Sequence, residues 1–228
     1  MFVIPNRQSD KPYIFNLVDS IRKFHPHEPI LIVDSCSPSL DYVKTLQDKA
    51  AGYPDLGQKI YFSTNNQHYI DSAVRKAFDT FPNEEFFYIL HDSMQVNCNL
   101  DYMKFYEFTS YMWFDGRAAW DIPSQKEYVQ RQLAEKTNFQ FMENFTGLFG
   151  ITFACKRQVL EKLRERGLNK VLPSNKIEMM ASERIWGMAL EQVGIDIKKH
   201  SVLGNFFTTK GIMNKTEGVI DKFWAKRN

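Results

Sequence analysis

Four charged residues of the sequence stand where they could bind a ligand or take part in a reaction. Arg7, Asp34 and Asp92 each follow a short apolar run, and Glu183 stands in a late helical pattern. Carboxylates accept hydrogen bonds from hydroxyl and N–H groups, and they supply the oxygen ligands that Mg²⁺ and Mn²⁺ prefer. A carboxylate can also take a proton from an attacking hydroxyl. These residue types therefore suit a phosphate-bearing ligand, a divalent cation and general base chemistry.

The apolar runs that precede these residues predict strands. The run Ile30-Leu31-Ile32-Val33 ends at Asp34, and the run before His91 is apolar throughout, which is typical of a strand covered on both faces. Between the runs, apolar residues recur at helical spacing. Strands are predicted at 2–4, 30–33, 60–62 and 86–90, and helices over 14–21, 41–49 and 70–81.

Strand–helix repeats of this length predict right-handed crossovers into a mostly parallel sheet flanked by helices. Ligands of such sheets bind beyond the carboxyl ends of the strands. The polar clusters that follow the strands should therefore lie along one edge of the sheet. These clusters are Asn6 and Arg7, Asp34 and Ser35, Asn65 and Asn66, and His91 to Ser93.

The later part of the sequence is less regular. Its predicted elements are a polar helix from about 124 to 136, a short apolar strand that 147–150 opens, a helix through 159–163, a helix from about Ser182, and a strand at 195–197 that leads to His200. With Ser182 as the N-cap, Glu183 would fall in the first helical turn. There the helix dipole favours an ionised carboxylate.

Composition excludes several classes of protein. A formal net charge of +2 over 228 residues gives no basis for predicting a nucleic-acid partner. Cys36, Cys98 and Cys155 are scattered, which indicates free thiols in a reducing compartment. No signal peptide is recognisable, and no apolar run approaches the ~20 residues of a membrane-spanning helix. The sequence therefore predicts a cytoplasmic protein without an integral membrane segment.

The order of these motifs resembles the GT-A glycosyltransferases, most closely the family-2-like members. The matching segments are Pro5-Asn6, Asp34-Ser35-Cys36-Ser37, His91-Asp92-Ser93, a glycine-containing strand–helix segment, and Ser182-Glu183-Arg184. The resemblance spans about residues 2–200. It implies an α/β GT-A fold, Rossmann-like with a mostly parallel central sheet, as a single domain over 1–228. About 1–100 would bind the nucleotide sugar, and about 101–228 would bind the acceptor and include the C-terminal tail.

The resemblance also implies an activity. It is similar to that of a metal-dependent hexosyltransferase, which moves a sugar from a nucleoside diphosphate-sugar to a hydroxyl of a glycan or another acceptor. The donor is expected to be a UDP-sugar. On this resemblance Pro5, Arg7, Asp34 and Asp92 would bind the donor.

The metal and the base are implied in the same way. Asp92 and His200 would hold Mn²⁺ or Mg²⁺ on the diphosphate, although His91 and Ser93 stand where the family commonly has acids. Glu183 matches the base of the inverting members. Trp186 would share the face of Glu183 and could stack on a sugar ring.

Each of these residues also has a structural alternative. Asp34 could close an Asx-turn, and Asp92 could cap the turn that ends a strand. Glu183 could serve only helix stability, His200 could be structural, and Arg7 could be a solvated surface residue.

Two rival functions stay open. The first is a sugar-nucleotide-binding module of the same fold whose catalysis is weakened, because the acidic motif keeps only Asp92. The second is a nucleotidyltransferase that makes the sugar nucleotide. Such enzymes usually have a glycine-rich basic loop after the first strand, and Pro5-Asn6-Arg7-Gln8-Ser9 contains no glycine.

Overall fold

Short strands alternate with helices along the first part of the chain, and most of the strands meet in one central sheet. The computed structural model describes residues 1–8, 13–35, 37–52, 60–65, 69–115, 123–209 and 218–223. The strands are β1 (Phe2–Asn6), β2 (Ile30–Ser35), β3 (Ile60–Asn65), β4 (Phe86–Ile89), β5 (Met94–Val96), β6 (Phe108–Ser110), β7 (Trp113–Asp115), β8 (Thr146–Leu148), β9 (Phe153–Lys156) and β10 (Ile220–Lys222).

The α-helices follow the apolar spacing of the sequence, most closely in the first half of the chain. They are α1 (Tyr13–Phe24), α2 (Leu40–Ala51), α3 (Tyr69–Thr80), α4 (Pro123–Ala134), α5 (Arg157–Glu165), α6 (Lys176–Gln192) and α7 (Phe206–Thr209). Short 3₁₀ helices span Asp101–Phe105, Phe149–Ile151 and Leu168–Lys170. Among the helical residues that the structure describes, no helix has the length and apolar character needed to span a membrane.

Six strands form the central sheet, in the order β3–β2–β1–β4–β9–β6. β1 pairs parallel with β2 and β4, and β2 pairs parallel with β3, whereas β9 runs antiparallel to both of its neighbours. The predicted mostly parallel α/β sheet is therefore confirmed. Because β1, β2 and β4 run in the same direction, the residues that follow them reach the same edge of the sheet. Two further sheets pair β10 with β5 and β7 with β8.

Both faces of the sheet are covered, as the continuous apolar strands predict. Alternate residues of β1 enter different clusters: Val3 packs with residues of α3 and α6, whereas Phe2 and Ile4 pack with α1. The buried residues of α1 recur at the spacing of one helix face: Ile14, Leu17, Val18 and Ile21. The sheet is therefore a rigid layer whose carboxyl edge can hold side chains in fixed positions.

The helix α6 begins earlier than predicted. Asn175 is its N-cap, since the Asn175 side-chain oxygen accepts from the N–H of Glu178 at 3.0 Å. The predicted start at Ser182 is wrong, because Ser182 lies inside the helix and its hydroxyl donates to the Met179 carbonyl at 2.8 Å. Glu183 is consequently in the middle of a 17-residue helix, where the helix dipole does not favour its ionised form as it would in the first turn.

A close approach of α6 to β8 fixes the position of Glu183. A Cβ atom on Gly187 would stand 1.9 Å from the carbonyl oxygen of Thr146, so no other residue fits there without moving the helix. Glu183 lies one turn earlier on α6. The helix therefore brings Glu183 over the residues that follow β8.

The strand predicted at 195–197 is wrong as well. The segment after α6 forms turns, and the Asp196 carboxylate accepts from the N–H of Lys198 at 2.9 Å. Gly194, with φ of +85°, ends the preceding helix. A side chain that bonds to nearby backbone in this way favours a turn over a strand.

Candidate functional site

A cavity opens at the carboxyl ends of the parallel strands, where the sequence predicts a ligand site. Its volume is about 410 Å³ when the open space at its mouth is counted. The lining residues come from three strand ends and from α3 and α6: Pro5, Asn6, Arg7, Ser35, Ile70, His91, Met179 and Glu183. Three of the four predicted polar clusters and Glu183 therefore meet in one place. Asn66, in the fourth cluster, is outside the described residues.

Asp34 is buried beside this cavity in a network of hydrogen bonds. Its Oδ1 accepts from Asn6 Nδ2 at 2.8 Å and from the Ser37 hydroxyl at 2.6 Å, and its Oδ2 accepts from the Ser37 N–H at 3.0 Å. The Tyr42 hydroxyl donates to Asn6 Oδ1 at 3.0 Å. The bond to the Ser37 N–H, three residues along the chain, gives Asp34 a local structural role, although an Asx-turn would bond the N–H two residues on. A role of Asp34 in donor binding stays a prediction.

The turn at His91-Asp92-Ser93 is bonded to three other segments. Asp92 is 5% exposed, and its Oδ2 accepts from the Arg7 N–H at 3.3 Å. His91 Nε2 lies 2.8 Å from the Gly150 carbonyl oxygen, and Ser93 accepts from the Lys222 ammonium at 2.5 Å. Because a carbonyl oxygen only accepts, His91 carries its proton on Nε2. The turn thus joins β1, the segment after β8 and the C-terminal strand β10.

Glu183 faces the cavity from α6, and its carboxyl group is poised to change charge near neutral pH. Its Oε1 accepts from the Gly150 N–H at 3.1 Å. Burial raises the pKa of Glu183 from its ordinary 4.5 to about 7, against the opposing effects of Arg184 and of the Gly150 N–H. The charge of Asp71 adds to the rise. A carboxylate with such a pKa can both accept and release a proton at neutral pH.

Gly150 links His91 and Glu183 across the cavity wall, a role that the sequence analysis missed. Its backbone has φ of +62°, and a Cβ atom would stand 2.7 Å from His91 Nε2. Its carbonyl and its N–H bond to His91 and Glu183 respectively. The signal in the sequence was a glycine within the apolar segment 147–150, since glycine adopts a positive φ at little cost.

Asp71 bonds to residues of α6 on either side of Glu183, and the sequence analysis missed it too. Asp71 accepts from Trp186 Nε1 at 2.7 Å and from the Ser182 hydroxyl at 3.3 Å, so it joins α3 to the part of α6 that carries Glu183. Burial raises the pKa of Asp71 to about 6. Trp186 is 4% exposed, so the expectation that it stacks on a sugar is wrong: its ring packs in the core and its N–H is used by Asp71.

A second cavity lies among α3, α5 and α6. Its lining is mostly apolar and includes Val74, Phe78, Leu160, Leu163 and Trp186. No residue from the carboxyl end of a sheet strand lines it. We therefore place the candidate site in the first cavity.

His200 lies across the sheet from the turn that holds Asp92. Ser201 forms a bridge with the end of β6, and β6 is two strands away from β4. With about 4.8 Å between neighbouring strands, Ser201 is about 14 Å from Ile89 at the end of β4. The His200 ring stacks on Tyr106 at 3.9 Å between ring centroids. The strand geometry does not bring His200 to Asp92, and its role as a metal ligand stays a prediction.

The residues at the turn fit only one kind of metal site. In the part of the chain that the structure describes, no three His, Cys, Asp or Glu side chains gather as a metal-binding group. Asp92 is the one acidic residue of the turn. Mg²⁺ is often held by one or two carboxylates together with substrate phosphates. Asp92 therefore fits a cation that a diphosphate largely holds, whereas a cation held by protein alone does not fit.

Comparisons with known proteins concern the fold. No model of a known protein family matches the sequence, and no curated protein matches it. TarS from S. aureus is similar in structure with a TM-score of 0.44 and 15% identity, over 79% of this chain and 54% of that chain. This chain therefore spans about half of the TarS chain.

Two other solved structures are similar over most of both chains. A nucleoside-diphosphate-sugar pyrophosphorylase from Vibrio cholerae RC9 has a TM-score of 0.47 and 13% identity, over 89% of this chain and 92% of that chain. The galactosyltransferase LgtC, solved with donor and acceptor sugar analogs, has a TM-score of 0.47 and 11% identity, over 97% of this chain and 86% of that chain. These likenesses include both reaction classes considered above, so they do not decide between them.

Proposed function

We propose that this chain is a glycosyltransferase that moves a sugar from a nucleoside diphosphate-sugar, in particular a UDP-sugar, to a hydroxyl of a glycan or another acceptor. One observation carries the proposal. The polar residues after the parallel strands and Glu183, with a pKa of about 7, line the same cavity. A base works best when its pKa is near the pH at which it operates.

The proposed reaction is an inverting single displacement. The acceptor hydroxyl oxygen attacks the anomeric carbon and its proton passes to Glu183, while the bond to the diphosphate breaks and its electron pair leaves with the phosphate oxygen. Pro5 and Arg7 line the donor side of the cavity, and Asp34 seats the nucleotide from beside it. Asp92 would hold Mn²⁺ or Mg²⁺ on the diphosphate, where a cation neutralises the charge of the leaving group.

The charge balance of the turn favours a second candidate, a binding module that keeps the donor site but turns over weakly. Asp92 is its only carboxylate, and the neighbouring Ser93 hydroxyl is used by Lys222. Such a module would bind the sugar nucleotide without consuming it. Mass spectrometry of donor incubated with a panel of glycan acceptors separates the two candidates, because only a transferase converts the donor into free nucleoside diphosphate and a glycosylated product.

A thermal-shift screen tests the donor assignment. UDP and UDP-sugars, with and without Mn²⁺, are compared with ADP and ATP. A ligand at ~100 times its dissociation constant stabilises the fold by about 2.7 kcal/mol. If ADP or ATP stabilised the fold and UDP did not, the donor assignment would be rejected. Release of pyrophosphate from UTP and a sugar 1-phosphate would replace the proposal with the pyrophosphorylase reaction.

A further inference from the structure

The C-terminal strand β10 is fixed directly against the turn that holds Asp92. β10 pairs antiparallel with β5, with Lys222 opposite Met94 and Ile220 opposite Val96. The Phe223 N–H donates to the Ser93 carbonyl at 2.8 Å. The Phe223 ring also stacks on Tyr13 at 5.2 Å between ring centroids. Both ends of this short segment are thus bonded, and Lys222 has a defined position.

Lys222 brings a positive charge into the same corner as Asp92. The residue is 7% exposed, and its ammonium donates to the Ser93 hydroxyl. Ser93 is the neighbour of Asp92, whose carboxylate contacts the Arg7 N–H at the cavity wall. A buried ammonium costs free energy unless anionic groups and hydrogen bonds compensate it. A surface lysine that serves only solubility would not be placed in this way.

We propose that Lys222 binds the diphosphate of the donor and stabilises it as the leaving group. This inference rests on the proposed function. In the transfer step the bond from the acceptor oxygen to the anomeric carbon forms and the bond to the phosphate oxygen breaks. The electron pair goes to that phosphate oxygen, and the acceptor proton goes to Glu183. Lys222 keeps its proton and donates a hydrogen bond to the diphosphate, where the negative charge develops.

A purely structural role for Lys222 makes a different prediction. If the ammonium only anchors β10 through Ser93, its loss lowers the melting temperature and reduces the affinity for all nucleotides alike. If it binds the diphosphate, its loss weakens UDP far more than UMP, because UMP has no β-phosphate. The ratio of the two affinities therefore separates a ligand contact from an anchor.

The test measures UDP and UMP affinities by calorimetry, in Mn²⁺ and in EDTA, for the full chain and its variants. Lys222→Met is expected to lower UDP affinity by about 10- to 100-fold, the effect of losing a hydrogen bond between charged groups, and to change UMP affinity less than about threefold. Lys222→Gln keeps a donor for Ser93 and is measured in case methionine unfolds the segment. Lys222→Arg should restore most of the preference for UDP. Lys162→Met, an exposed lysine on α5, is the matched control.

Each outcome has one meaning. A wild-type protein that binds neither UDP nor a UDP-sugar contradicts the proposed function itself. If the wild-type protein binds UDP and Lys222→Gln has the same ratio of UDP to UMP affinity, only the assignment of Lys222 is overturned. A lower melting temperature with that unchanged ratio identifies Lys222 as an anchor of β10.

Discussion

Replacement of Glu183 by glutamine removes the ionisable group of the proposed base and keeps its size. The glutamine oxygen can still accept from the Gly150 N–H, which donates to Glu183 at 3.1 Å. Donor affinity is therefore expected to stay unchanged. Transfer is expected to fall by ~10²–10⁴-fold, the range for losing a positioned acid or base.

The same replacement should change stability in a way that depends on pH. The pKa of Glu183 rises from 4.5 to about 7 on folding, so the folded state holds the proton more tightly than the unfolded state does. Wild-type stability therefore falls as the pH rises from 4.5 to 7; the cost is absent below this window and complete above it. A tenfold change in an acid dissociation constant is worth about 1.4 kcal/mol, which makes the full cost about 3 kcal/mol. Glutamine has no such cost.

Urea unfolding of both proteins at pH 4 and pH 8.5 measures this difference. Glu183→Gln should gain about 3 kcal/mol relative to wild type between the two pH values, or roughly 6–12 °C in Tm. Glu165→Gln, at an exposed position that ends α5, is the matched control and should show no such change. A variant that gains nothing at pH 8.5 would refute the burial argument. If Glu183→Gln transferred sugar at the wild-type rate, Glu183 would not be the base, and a retaining mechanism would have to be considered.

Three other variants test the surroundings of Glu183. Asp92→Asn should keep the fold, because asparagine can still accept from the Arg7 N–H, and should lose Mn²⁺-dependent binding of UDP. If UDP affinity measured by calorimetry kept its dependence on Mn²⁺ in this variant, Asp92 would not belong to the metal site. Asp71→Asn removes a charge that raises the pKa of Glu183, so the midpoint of the transfer–pH curve should move to lower pH, and a fixed midpoint would contradict the coupling. Gly150→Ala places a Cβ atom 2.7 Å from His91 Nε2 at a φ of +62°, so unfolding should show a loss of about 1–2 kcal/mol together with slower transfer. If Gly150→Ala had wild-type stability and transfer rate, the backbone between His91 and Glu183 would be able to shift and make room for the added Cβ atom.

The strand ends could be predicted from the sequence because two signals coincide there. A continuous apolar run locates a buried strand, and the first polar residues after it mark the carboxyl edge. Asp34 and the turn at His91-Asp92-Ser93 were found in this way. The contact between Asp34 and Asn6 also follows from the parallel register of β1 and β2, which places Asn6 opposite Asp34.

The start of α6 could not be found from periodicity. Almost every residue from Ala181 to Leu190 is buried, so the helix has no polar face whose repeat would mark its beginning. The pattern Asn175-Lys176-Ile177-Glu178 was the better capping signal, since Glu178 also accepts from the Ser174 N–H at 2.7 Å. Ser182 resembles a cap only when the residues before it are not considered.

Lys222 had no local signal at all. It reaches the site because Ile220 pairs with Val96, and a pairing between residues so distant along the chain leaves no pattern near either of them. Asp71 was detectable in principle. It lies one residue after Ile70 and three before Val74 on the apolar side of α3, where a carboxylate must find partners in the core.

The position of Glu183 within α6 changes what its chemistry requires. A carboxylate in a first helical turn is stabilised as an anion, so it would be ionised well below neutral pH and its activity as a base would be almost independent of pH near 7. Glu183 instead lies in mid-helix, half-buried at the cavity, and the folded protein favours its neutral acid up to a pKa of about 7. The rate of transfer should then rise with pH through about 7, because only the ionised form can take the acceptor proton. An acceptor hydroxyl that displaces solvent from the cavity would strengthen this effect, since desolvation disfavours the charged form. The pH dependence of transfer therefore distinguishes a base whose pKa is raised by burial from one that a helix start keeps ionised.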